Sequence, residues 1–181
     1  QRDNTVVIFT SDHGHMIGDH GLSNKGCRFY EGLVRVPLVI SWPGRFRPGV
    51  QSDALVELTD LTPTLLELAG LDVPAGMHGK SLLPLLTGAA EEHREFVRCT
   101  YTETLQGPPS WGSMIRERRY KLCNYHGTGM GQLFDLAEDP GEHRNLWDSP
   151  EHAEIKSRLL VLSFDAEAMS ADPGSARIGR Y

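Results

Sequence analysis

No apolar run in the 181 residues approaches the length of a bilayer crossing, which excludes a membrane-spanning helix. Cysteine is scarce: Cys27, Cys99 and Cys123 are the complete set. Three thiols make no disulfide framework. A single bridge stays open, and buried thiols are the preferred reading. No two cysteines have the C-x-x-C spacing, so neither a zinc knuckle nor a dithiol redox motif is expected. Basic charge is not in excess: 18 Lys and Arg stand against 24 Asp and Glu, for a net charge of −6. That balance argues against a general nucleic-acid binder. It leaves room for a local cationic pocket. There is no initiator Met and no signal-peptide pattern, and no compartment follows. Hydrophobic residues at 39% and charged residues at 23% describe one ordinary globular domain or slightly more.

The most informative stretch comes first, Asn4-Thr5-Val6-Val7-Ile8-Phe9-Thr10-Ser11-Asp12-His13-Gly14. Four consecutive apolar residues predict a strand over residues 5–10, buried on both faces. It stops at a carboxylate beside an imidazole, with Gly14 letting the chain turn away. Two such groups at the carboxyl end of a buried strand suit metal ligation, because α/β sheets bind ligands there. A long Gly-rich loop with short helical pieces, residues 11–34, carries Asp19, His20 and Lys25, and loops this long are more often functional than average. Residues 36–41 read as the next buried strand, stopped by Pro43-Gly44. A further short strand is expected over 53–58.

A helix is predicted from Asp60 as N-cap to Gly70 as terminator, with Leu61, Leu65 and Leu68 on its inner face. A shorter one follows from Ser81 to Leu86. A boundary is placed near Gly88 to Arg94, dividing the chain into 1–90 and 91–181. The second part reads as antiparallel: strands over 96–102, 113–116, 120–125 and 132–136, the middle pair a hairpin around Glu117-Arg118-Arg119. The last helix is expected from Ser149, with Pro150 at its first position, to about Ala166. Ile155, Leu159 and Leu162 should face inward. The Gly-, Pro- and Ala-containing tail from Met169 is expected to be loose. Arg116, Arg118 and Arg119 read as a solvated turn, and 106–112 around Trp111 as a candidate rim.

Several motifs occur together and in order: T-S-D-H-G at 10–14, G-D-H-G-L at 18–22, Lys25 thirteen residues after Asp12, and R-V-P-L-V-I-S-W-P-G at 35–44. Behind them come L-T-D-L-T-P-T-L-L-E-L-A-G at 58–70, S-L-L-P-L-L-T-G at 81–88, M-I-R-E-R-R-Y-K-L at 114–122 and L-F-D-L-A-E-D-P-G-E-H-R-N-L at 133–146. In these the chain resembles the sulfatase family of the alkaline-phosphatase superfamily, and specifically its C-terminal part. The resemblance implies an α/β fold: the C-terminal portion of a mixed sheet flanked by helices, then a small antiparallel sheet packed with a C-terminal helix.

It also implies a function. Asp12 and His13 would be metal ligands, with calcium first and manganese or magnesium behind it. Lys25 would be the catalytic and sulfate-contacting lysine, and His20 would orient the loop or contact substrate. The family's nucleophile is a formylglycine made from cysteine in C-x-P-S-R or C-x-A-x-R. None of the three cysteines has that context. The nucleophile is therefore expected outside this chain, which alone should be inactive. A small-molecule or carbohydrate sulfate ester is the expected substrate; nucleic acid and membrane are not expected partners. A phosphonate monoester or phosphodiester hydrolase is the alternative, and a non-catalytic fragment the third reading. The amino-terminal strand, lacking its sheet, is expected either to be completed by another chain or to pair with itself.

Overall fold

The structure, a computed structural model, describes residues 1–103 and 108–170. Two antiparallel sheets organise it. In the first, β1 (Val7–Thr10) pairs with β2 (Leu38–Ser41), setting Ile8 opposite Ile40 and Phe9 opposite Val39. The alternation of strand side chains then divides the pair. Ile8, Thr10, Leu38 and Ile40 are half-buried, whereas Val7, Phe9 and Val39 are exposed, Phe9 by 64%. The expectation of burial on both faces is thus corrected: within this chain only one face of the pair is covered.

Two other expectations change. Residues 53–57 run without a ladder, and a 3-10 turn at Leu58–Asp60 leads into α2 (Leu61–Leu68). Asp60 is therefore no N-cap. Its own backbone is helical, and its carboxylate turns back to accept from the Glu57 N–H at 2.9 Å, as in a capping box. The buried face of α2 is Pro63 and Thr64, while Leu65 is 46% exposed. The cause is polar: Thr64 Oγ1 donates to the Asp60 carbonyl at 2.6 Å and accepts from the Leu82 N–H at 2.8 Å. That bridge turns Thr64 inward and Leu65 outward. Gly70 ends the helix as anticipated, with φ of 70°, a conformation disfavoured for other residues. The next helix, α3, spans Leu83–Thr87 and stops at Gly88.

The second sheet is a meander, β3 (Val97–Glu103), β4 (Ser110–Arg116), β5 (Tyr120–Tyr125) and β6 (Met130–Asp135), each strand beside its sequence neighbour. The turn at 117–119 joins β4 to β5 as the sequence indicated. A 3-10 turn at Pro150–His152 opens the final helix, α4 (Ala153–Ser170). Leu159 of α4 is fully buried against Ile115, Leu122, Leu133 and Leu146, with Ile155 and Leu162 packed around them. Leucine and isoleucine side chains buried this way supply most of the stabilisation of such a layer, ~1.5–3 kcal/mol each.

The opposite face of this sheet is covered by the loop that follows β1. Phe29 is buried with Met114 and Cys123, and Val34, Cys99, Tyr101 and Tyr125 pack beside them. The sheet is therefore a wall with α4 behind it and the candidate loop in front. Among the described residues no helix is long and apolar enough to cross a membrane. The tail after Ser170 and residues 106–107 of the proposed rim lie outside the described residues.

Candidate active site

β1 ends at Thr10, and the next three residues turn outward. The Asp12 side chain is 84% exposed. Its Oδ1 accepts from the His13 N–H at 2.9 Å. That N–H holds its carboxyl below the usual range. Asp12 Oδ2 lies 3.5 Å from His13 Nε2. The imidazole is fixed at its other nitrogen, 2.8 Å from the Gly14 carbonyl. A carbonyl can only accept, so Nδ1 carries the proton and Nε2 offers a lone pair. Lys25 Nζ meets that lone pair at 2.7 Å. Asp12, His13 and Lys25, separated by up to thirteen positions, converge at one point.

The backbone beneath explains why. Gly14 N donates to the Leu33 carbonyl at 2.8 Å, tying the strand end to α1 (Glu31–Val34). The approach is so close that a β-carbon on Gly14 would collide with the Gly32 carbonyl oxygen. Only glycine fits there. An open cleft of about 950 Å³ leads away from the site, lined by Asp12, His13, Leu38, Leu82 and Met114 among others.

His20 sits elsewhere. Its ring stacks on Tyr30 with centroids 3.9 Å apart, and the His143 ring is 5.1 Å away. Its φ of 51° is unusual for histidine. These contacts dock the middle of the Gly-rich loop onto the second sheet, where Gln132 Nε2 donates to Tyr30 Oη at 2.9 Å. Arg118 and Arg119 are exposed turn residues, as read, paired with Glu92 and Asp135. Arg116 is not: it is largely buried, its Nε 3.3 Å from Glu31 Oε1.

Sequence reasoning missed two buried charge clusters. Lys121, fully buried on β5, lies 3.0 Å from Glu31 Oε1 and is also ion-paired with Glu142. The signal was present: Lys121 shares a strand face with Cys123, a core position. The other cluster centres on fully buried Asp60. It accepts from the Lys80 N–H, His93 Nε2 and Arg94 Nε at 2.8, 3.1 and 3.0 Å, with Arg94 Nη2 on its second oxygen. Of the cysteines, Cys123 is wholly buried and its thiol is pushed up to about 12. It is no nucleophile.

The fold and these motifs are those of the carboxyl-terminal part of sulfatase-type hydrolases. The family described as N-sulphoglucosamine sulphohydrolase, C-terminal, matches residues 18–164, and the chain belongs to it. It is 40% identical over 188 positions to a choline-sulfatase of Rhizobium meliloti, covering 99% of this chain and 35% of that protein. With an N-acetylglucosamine-6-O-sulfatase of Bacteroides thetaiotaomicron it shares 30% identity over 176 positions, covering 94% of this chain and 31% of the relative. Among solved structures, a 2-O GAG sulfatase superposes with a TM-score of 0.87 at 32% identity, covering 94% and 37%. The phosphonate monoester hydrolase of Silicibacter pomeroyi gives 0.84 at 29% identity, covering 94% and 36%. The chain thus spans about a third of the length of the proteins it matches.

Proposed function

We propose that this chain is the carboxyl-terminal part of a metal-dependent sulfatase, supplying two metal ligands and an anion-binding lysine to a site completed by residues outside it. The convergence of Asp12, His13 and Lys25 carries this reading. Among the described residues no group of three His, Cys, Asp or Glu side chains gathers to hold a metal. Asp12 and His13 would hold the cation from one side only. Their donor atoms are 3.5 Å apart. A carboxylate suits a hard divalent cation such as calcium, whereas the imidazole would also accept manganese.

When bound, the cation supplies charge stabilisation at the sulfuryl oxygens. The chain's own residues do the rest. Gly14 orients the His13 ring through its carbonyl, leaving Nε2 unprotonated. Asp12 stays ionised at neutral pH, because its carboxyl is held low. The Lys25 ammonium offers three donors to an anionic ester and neutralises charge on its oxygens. The nucleophile, a formylglycine in this reading, lies outside the chain, and the 181 residues alone should turn over no sulfate ester. The substrate class is a small-molecule or carbohydrate sulfate ester. One similar structure is described as a complex with its substrate D-glucosamine-2-N,6-O-disulfate.

The test is Asp12→Ala in the complete protein carrying this chain, assayed on an aryl sulfate with metal content measured in parallel. Loss of both turnover and bound metal is expected. Full turnover with metal retained would overturn the assignment. A phosphonate monoester hydrolase is the second reading, favoured by the likeness to two such enzymes. A higher kcat/KM on an aryl phosphonate than on the matched aryl sulfate would select it.

A further inference from the structure

We propose that Lys121 and Glu142, both remote from the candidate metal pair, are positioning residues for His13. The active-site role of His13 rests on the hydrolase reading above; the orientation of its ring does not.

Lys121 is wholly buried on β5, on the face that meets residues 29–34. A buried ammonium costs more than a packed apolar side chain unless its partners hold something in place. Here they hold α1. Glu31 Oε1 takes the Lys121 ammonium at 3.0 Å, and Arg116 Nε stands 3.3 Å from the same oxygen. Glu142 pairs with Lys121 through Oε1, while its Oε2 accepts from the Glu31 backbone N–H at 2.6 Å. Glu142 does so with φ of 56°, a conformation glutamate adopts only when its surroundings compel it. Arg35 adds a looser pairing, 4.0 Å from Glu31 Oε2.

From α1 the path to the site is short and stiff. The Leu33 carbonyl accepts from Gly14 N at 2.8 Å, and Gly14 lies against the Gly32 carbonyl with no room for a β-carbon. The Gly14 carbonyl in turn accepts from His13 Nδ1 at 2.8 Å. The second sheet thus sets the angle of the imidazole and the nitrogen that keeps its proton. Partners that orient a metal-ligating histidine are worth about 10–100-fold in metal affinity.

The experiment uses the 181-residue chain with 15N-labelled histidine, reading His13 ring nitrogens by long-range 1H–15N correlation and assigning them with His13→Gln. In the parent chain Nδ1 should appear protonated and Nε2 unprotonated. Lys121→Met should collapse that separation toward tautomer averaging, while amide protection across β4–β6 persists. A Lys121→Met/Glu142→Met double variant removes both charges together. It keeps the test decisive where the single variant does not fold. Unchanged His13 signals in a folded variant would overturn the proposal. In the complete protein, metal affinity should fall about tenfold or more with either variant. Collapsed His13 signals in the variant chain, with a complete parent protein that hydrolyses neither sulfate nor phosphonate esters, would uphold the positioning role and sink the hydrolase reading instead.

Discussion

Lys25 Nζ stands 2.7 Å from His13 Nε2, on the lone pair that a metal ion would need. In the proposed site the lysine and a cation would be rivals for one atom. Binding of a cation there would break the Lys25–His13 contact and free the ammonium for an anionic ester.

Lys25→Ala should consequently move two measurements in opposite directions. Cation affinity should rise, since a competitor and a like charge are removed. The kcat of the complete enzyme should fall about 10²–10³-fold, the usual cost of losing one donor aimed at developing charge. Titration calorimetry and steady-state kinetics on the same variant check both. Unaltered kcat would remove Lys25 from the mechanism.

Asp60 predicts an acid limb. Burial alone would raise its pKa, but the Arg94 guanidinium and the Glu57 and Lys80 N–H groups outweigh burial, and the net shift is downward. A carboxyl lower in the folded than the unfolded state stabilises fully above the unfolded value, about 4, and loses that contribution as pH falls through the folded value. Asp60→Asn should cost about 1–3 kcal/mol at pH 7, because Arg94 loses its nearest charge partner and keeps the more distant Glu57, 3.7 Å away. The gap between parent and variant in urea midpoints should narrow as pH falls below about 4.

The contrast between Leu159 and Phe164 separates buried from exposed apolar residues of one helix. Leu159→Ala should destabilise by about 2–5 kcal/mol, having no exposure and a full shell of leucine and isoleucine neighbours. Phe164 is 75% exposed, and its replacement by serine should stay within about 0.5 kcal/mol. Equal losses would mean that α4 is not seated on the sheet as described.

The open face of the first sheet bears on association. Phe9 and Val39 stand opposite each other and both face outward. The isolated chain is expected to self-associate there, and Phe9→Lys should shift its sedimentation profile toward monomer. Identical profiles for parent and variant would rule this face out.

Much of this arrangement was legible in the sequence. Strand-type runs broken by turn residues located the meander, and Gly70 and Pro150 marked helix ends through backbone preferences that need no tertiary context. The meeting of Asp12, His13 and Lys25 is what the family resemblance implied. What escaped was decided by long-range polar partners. Asp60 looked like a cap, because nothing local reveals that Arg94 and His93 come to it from over thirty residues away. Leu65 looked inward-facing, because Thr64 was not known to bridge Asp60 and Leu82. The pairing of Lys121 escaped because its glutamates lie 90 residues before it and 21 after it.

The neighbour-to-neighbour order of β3 to β6 has a kinetic consequence. Each strand closes only a short loop to find its partner, so the meander and α4 can form quickly and by themselves. β1 and β2, synthesised earlier, lie about thirty residues apart and gain cover only when the finished wall receives Phe29 and α1. The last-made part of the chain is thus the template on which the first-made part settles, and the loop that carries His20 and Lys25 is among the final segments to take its shape.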